Sequence, residues 1–64
     1  MFDDYLSLFS GAFLKEKIKL LLEDYFKSFH ELPNISEVIF VSQHIHEKNI
    51  LKYKDWNQLI SALK

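Results

Sequence analysis

The fold is decided by the last stretch of the chain, Lys52-Tyr53-Lys54-Asp55-Trp56-Asn57-Gln58-Leu59-Ile60-Ser61-Ala62-Leu63-Lys64, which contains the only tryptophan of the sequence. The apolar residues that follow the i, i+3, i+4, i+7 spacing of one helix face are Trp56, Leu59, Ile60 and Leu63. Asp55 precedes this face as an N-cap residue, and Gln58 follows three positions later, as in a capping box. The stretch therefore predicts a helix whose first turn carries Trp56 and closes a small core.

Length and composition restrict the chain to one small domain. Its 64 residues are 48% hydrophobic and include six Phe, three Tyr and one Trp. Aromatic side chains bury about 150–250 Å² each, so a few of them can build most of a core. A single Gly and a single Pro leave little room for long loops and favour helices joined by tight connections. We predict an all-α domain over residues 1–64, a bundle of three to four helices.

Residues 2–14 are unusually apolar and predict an N-terminal helix ahead of a helical core over residues 15–64. The side chains that fit one stripe of this helix are Phe2, Tyr5, Leu6, Phe9 and Phe13. Ser10-Gly11 either breaks the helix or bends it. The rest of the chain covers only part of this surface. These residues therefore either complete the core or, in part, face a partner protein. The candidates for such an interface are Phe2, Tyr5, Phe9 and Phe13.

The middle of the chain predicts two further helices. Apolar residues at helical spacing predict a long helix from Lys15 to His30, and Pro33 follows its end. Asn34 is an N-cap for the next helix, with Glu37 at the third position. Val38-Ile39-Phe40-Val41 has the composition of a strand. Since no partner strand is evident, we favour a short helix there.

A polar helix is predicted between these segments and the Trp56 helix. Ser42 is its N-cap, and it runs from Gln43 to Leu51. Together the predicted helices form a bundle. The residues predicted for its core are Ile18, Leu21, Leu22, Tyr25, Phe29, Val38, Ile45, Trp56, Leu59 and Leu63.

Charge is distributed unevenly along the chain. Residues 1–37 carry seven acidic residues and four lysines, a balance of −3, whereas residues 38–64 carry four lysines and two acidic residues, a balance of +2. All eight basic residues are lysines. Arginine is the usual bidentate reader of guanine, so this composition favours contact with the nucleic-acid backbone over contact with bases.

Several classes of function are not indicated. Without cysteine neither a disulfide nor a thiolate metal site can form. His44 and His46 are two positions apart and would point to different sides of a helix, so we predict no metal site. A single Gly excludes a glycine-rich phosphate loop, and we predict no enzyme activity, cofactor or small-molecule substrate. The longest apolar runs have three and four residues, so we expect a soluble, cytoplasmic protein without a membrane partner.

Residues 17–64 resemble the small helical module called the homing-endonuclease-associated repeat. That module has an amphipathic helix, a Leu/Val-Pro turn, a short helix, a polar third helix and an aromatic-x-Ser-Trp-Asn-x-x-Leu ending. The matching pieces are Ile18 to Phe29, Glu31-Leu32-Pro33, Ile35 to Val41, and Ile50-Leu51-Lys52-Tyr53-Lys54-Asp55-Trp56-Asn57-Gln58-Leu59-Ile60. The resemblance implies a helix-turn-helix-like fold that contacts DNA. The residues it implies on the DNA-facing helix are Gln43, His44, Lys48, Asn49 and Lys52.

Two hypotheses of function follow. In the first, the protein is a DNA-binding regulator in which Lys48, Lys52 and Lys54 contact phosphates while Gln43 and Asn49 reach base edges. In the second, it is an inhibitor or adaptor that binds a partner protein through the aromatic stripe of its N-terminal helix. The stripe also predicts self-association, most simply as a homodimer through Phe2, Tyr5, Phe9 and Phe13.

Overall fold

The computed structural model describes residues 3–64, which contain four α-helices and one short 3₁₀ helix but no β-strand. The all-α prediction is confirmed, and residues 38–41 are helical. The elements are α1 (Asp3–Leu6), α2 (Ala12–Phe29), α3 (Ile35–His44), the 3₁₀ helix (Glu47–Lys52) and α4 (Trp56–Leu63). The long helix α2 packs against α1, the 3₁₀ helix and α4, and α4 also packs against α3.

The N-terminal apolar segment is not one helix. The helix α1 ends at Leu6, and α2 begins at Ala12. Between them Gly11 adopts φ 89° and ψ 138°, a backbone conformation that is open to glycine and strained for residues with a Cβ. Gly11 therefore breaks the helix and redirects the chain, and Ala12 to Leu14 join the long helix instead.

The connection between α2 and α3 is closed by two caps. His30 ends α2 in the left-handed conformation, with φ 59°, and its N–H donates to the Phe26 carbonyl at 2.8 Å. Asn34 begins α3, where its Oδ1 accepts from the backbone N–H of Ser36 at 2.9 Å. Pro33 is buried between these caps. The predicted N-cap at Asn34 is confirmed.

The predicted third helix from Gln43 to Leu51 is wrong. The helix that starts after Asn34 continues through His44, because the Ile45 N–H still donates to the Val41 carbonyl at 2.8 Å. Ser42 lies inside this helix, and its hydroxyl donates to the Ile39 carbonyl at 2.7 Å instead of capping a new helix. Ile45 and His46 are extended, and the element between them and α4 is a 3₁₀ helix and not an α-helix.

The helix α4 begins as predicted. Asp55 Oδ1 accepts from the Gln58 backbone N–H at 2.7 Å. The Gln58 side chain accepts from the Lys54 backbone N–H, also at 2.7 Å, one residue before the position expected for a capping box. These two hydrogen bonds hold the connection into α4 in one conformation.

The core lies between α2, α3, α4 and the 3₁₀ helix. Its buried residues are Phe9, Leu14, Ile18, Leu21, Leu22, Val38, Val41, Ile50, Trp56, Leu59 and Ile60. The predicted core residues Tyr25, Ile45 and Leu63 are half-buried and pack against this cluster. Phe29 was predicted wrongly, since its side chain is 50% exposed. It belongs to the last turn of α2, where its ring lies beside that of Tyr25 in the same helix, with centroids 4.6 Å apart.

The indole of Trp56 connects α4 to α3 through a hydrogen bond. The side chain is 1% exposed, and its Nε1–H donates to Glu37 Oε1 at 3.2 Å. Glu37 was predicted to support the start of α3 as the third residue of a capping box. Instead its carboxylate satisfies the one polar atom of the buried tryptophan, as a buried indole N–H requires.

We predict that Gly11→Ala destabilises the protein by about 1–3 kcal/mol, because alanine at positive φ is strained here even though no atom lies within 4 Å of the added Cβ. Urea denaturation followed by circular dichroism measures the effect. The matched control is Ser10→Ala, an exposed neighbour that should change the free energy of unfolding by less than about 0.5 kcal/mol. Equal stability of the two variants would contradict the strained break at Gly11.

Candidate functional site

The residues predicted to face DNA lie on three consecutive pieces of chain. Gln43 and His44 end α3, Lys48 and Asn49 lie on the 3₁₀ helix with Lys52, and Lys54 is in the connection to α4. They therefore do not form a single recognition helix. We call residues 43–54 the basic segment.

The 3₁₀ helix fixes which of these side chains project together. With three residues per turn, side chains three positions apart lie on the same side. Ile50 points inward and is 2% exposed. The side chains three positions apart form two further rows along the outside of the helix. One row contains Asn49 and Lys52, and the other contains Lys48 and Leu51. Lys48, Leu51 and Lys52 are exposed and Asn49 is half-buried, so the two outer rows present amide, ammonium and apolar groups to solvent.

His44 is held in one orientation at the end of α3. Its Nδ1 lies 2.8 Å from the Phe40 carbonyl oxygen, and its ring stacks on Phe40 with centroids 4.3 Å apart. Because a carbonyl oxygen only accepts hydrogen bonds, Nδ1 carries the proton and donates. Nε2 is the ring nitrogen left for a ligand, and in the neutral ring it is an acceptor.

The basic segment has a local positive charge. Three lysines against Glu47 give 3 − 1 = +2 for residues 43–54. The next acidic residue is Asp55, whose carboxylate is engaged as the N-cap of α4. The lysines at 48, 52 and 54 are all exposed, so an approaching anion meets ammonium groups on a segment that Ile50 and the α4 cap hold in place.

The predicted aromatic interface is not one exposed surface. Phe9 is 3% exposed and belongs to the core, and Tyr5 is half-buried, with its hydroxyl donating to the Pro33 carbonyl at 3.4 Å. Phe13 is 41% exposed on α2, and Phe2 lies outside the described residues. The break at Gly11 explains the separation, because it places Phe9 and Phe13 on different elements. Phe9 is therefore a core residue and not an interface residue.

Two exposed apolar side chains, Leu20 and Leu51, lie around a shallow groove between α2 and the 3₁₀ helix. Leu20 is 51% exposed and Leu51 is 66% exposed. The groove has a volume of about 280 Å³, and its lining residues are Lys17, Leu20, Leu21, Ile50, Leu51, Tyr53 and Lys54. The only charged residues among them are Lys17 and Lys54, so the groove is apolar with basic edges.

A second shallow groove lies on the other side of Leu20, between α1 and α2. It has a volume of about 340 Å³ and is lined by Leu6, Lys15, Glu16, Lys19, Leu20 and Glu23. Leu20 therefore forms a ridge between two grooves. Sequence reasoning missed this role, although one signal was present: Leu20 falls outside the helical stripe that contains Ile18, Leu21 and Leu22.

Among residues 3–64, no three side chains of His, Asp or Glu lie close enough together to hold a metal ion. In the same part of the chain, every helix is too short or too polar to cross a membrane. The buried side-chain nitrogen and oxygen atoms of these residues all have hydrogen-bond partners.

Comparison of the chain with protein-family models, with curated proteins and with solved structures returned no match.

Proposed function

We propose that the protein is a small DNA-binding regulatory protein that contacts the phosphate backbone through the basic segment. The observation that carries the proposal is the exposure of Lys48, Lys52 and Lys54 on one segment whose fold is fixed by the buried Ile50 and the Asp55 cap. Lysines presented on a fixed segment bind phosphates with less loss of side-chain and backbone freedom than lysines on an unfolded tail.

Base contacts in this proposal come from the amides. Gln43 is exposed at the end of α3, and Asn49 projects in the same row as Lys52. Amide side chains pair with adenine in the major groove through one donor and one acceptor. Since the basic residues are all lysines, phosphate contacts supply most of the affinity and the amides a modest sequence preference.

The proposal predicts a salt dependence that can be measured by fluorescence anisotropy with a labelled duplex of random sequence. Three phosphate contacts give a slope of log affinity against log salt of about −2.7, at about −0.9 per contact. Lys48→Ala, Lys52→Ala and Lys54→Ala should each reduce the magnitude of this slope by about 0.9 and weaken binding to all sequences alike.

Lys15→Ala is the matched control, because Lys15 is an exposed lysine on α2, outside the basic segment. It should leave the slope unchanged. Absence of binding at about 50 mM salt, where non-specific electrostatic binders still engage, would contradict the proposal. So would equal losses from the control and from the three segment variants.

Binding of a partner protein is the second candidate function, and one observation favours it. Leu51 is 66% exposed between Lys48 and Lys52 and lines the groove beside Leu20. A phosphate-binding segment does not require an exposed leucine, whereas exposed apolar patches with polar edges are typical of protein interfaces. Such a partner would present an apolar side chain to the groove and carboxylates to Lys17 and Lys54.

Leu51→Asn distinguishes the two functions. If DNA binding is the function, this variant should keep the affinity and salt slope of the wild type, because every lysine remains. If an inhibitor or adaptor role is the function, capture of a partner from nuclease-treated lysate should be lost in Leu51→Asn and kept in the double variant Lys48→Ala/Lys52→Ala. Loss of capture on nuclease treatment alone would reject the protein-binding candidate.

A further inference from the structure

We infer that the exposed face of α2 is a self-association surface, and that its occupant is a second copy of this chain packed antiparallel across Leu20. This goes beyond DNA binding and does not depend on it. The inference starts from a stripe of residues at alternating spacings of four and three on α2, which places them on one side of the helix. The stripe consists of Phe13, Lys17, Leu20, Asp24 and Lys27.

The centre of this stripe is apolar and exposed. Leu20 is 51% exposed and forms the ridge between the two grooves, and Phe13 is 41% exposed. The groove beside the ridge continues the apolar area to Leu51. Packing the ridge of one helix into the groove of another is the normal way in which two helices bury such a surface.

The charges of the stripe are complementary to those of a second copy. Lys17 lies three residues before Leu20 and Asp24 lies four residues after it. In an antiparallel pair with a two-fold axis beside Leu20, Lys17 of each copy faces Asp24 of the other. A two-fold interface repeats every contact, so this single charge pair forms twice.

The two ends of the stripe, Phe13 and Lys27, also form a favourable pair between the two copies. In the single chain, Lys17 Nζ lies 5.8 Å from the centroid of the Phe13 ring; in the pair, Lys17 leaves this ring for Asp24 of the second copy. The same axis brings Phe13 near Lys27 of the second copy, and a lysine over an aromatic ring is a favourable pair. A second copy therefore supplies apolar, acidic and basic groups at the positions where this face needs them.

Sedimentation equilibrium across the micromolar range tests the inference by charge reversal. The wild type should be a dimer. Lys17→Glu and Asp24→Lys should each weaken dimerisation at least about ten-fold, because like charges then face one another twice. The double variant Lys17→Glu/Asp24→Lys should restore it, since each pair is re-formed with its charges exchanged.

Glu31→Lys is the matched control, an exposed acidic residue outside the stripe, and should leave dimerisation unchanged. Thermal melts by circular dichroism confirm that each variant is folded. A wild type that stays monomeric overturns the inference and leaves this face to a different protein. A dimer that is insensitive to either single reversal, or not restored in the double variant, also overturns it. DNA binding is measured separately by anisotropy, so neither result decides the other proposal.

Discussion

The rest of the structure depends on the burial of one side chain, Trp56. Its indole is 1% exposed at the first turn of α4, and its only polar atom donates to Glu37 on α3 at 3.2 Å. Without that carboxylate the indole N–H would be buried without a partner, at a cost of about 1–3 kcal/mol. The contact links α3 to α4, and α4 in turn packs against α2. Because a chain of this length buries only about 60% of its unfolded surface, each large buried side chain supplies a substantial share of its stability.

The features set by local chemistry could be predicted from the sequence. Asn34 and Asp55 cap α3 and α4 because an oxygen side chain at these positions accepts a backbone N–H of the first turn. The spacing of Ile18, Leu21 and Leu22 correctly identified the buried side of α2. The 3₁₀ helix was not predictable in this way. Ser42 is a good N-cap by type, but whether a helix starts or continues there depends on Val41, which packs into the core.

The sequence indicated which residues make up the candidate site but not on which elements they lie. The basic segment contains the residues that the sequence indicated, yet they lie on α3, the 3₁₀ helix and a connection, and not on one helix. The predicted aromatic stripe is divided, because Phe9 is drawn into the core once Gly11 redirects the chain. Among the described residues, the two most exposed large apolar side chains are Leu20 and Leu51, which lie beside one groove although their elements are distant in sequence. Only tertiary packing brings such residues together, and sequence periodicity within one helix does not show it.

The measurement that tests the account most directly is the free energy of unfolding of Trp56→Ala at 25 °C, by urea denaturation with far-ultraviolet circular dichroism. Loss of a buried aromatic side chain costs about 3–5 kcal/mol, and domains of this size have total stabilities of about 3–10 kcal/mol. We expect Trp56→Ala to be unfolded or to lack a cooperative transition in dilute urea. A variant within about 1 kcal/mol of the wild type would show that the fold does not depend on Trp56 and would contradict the account.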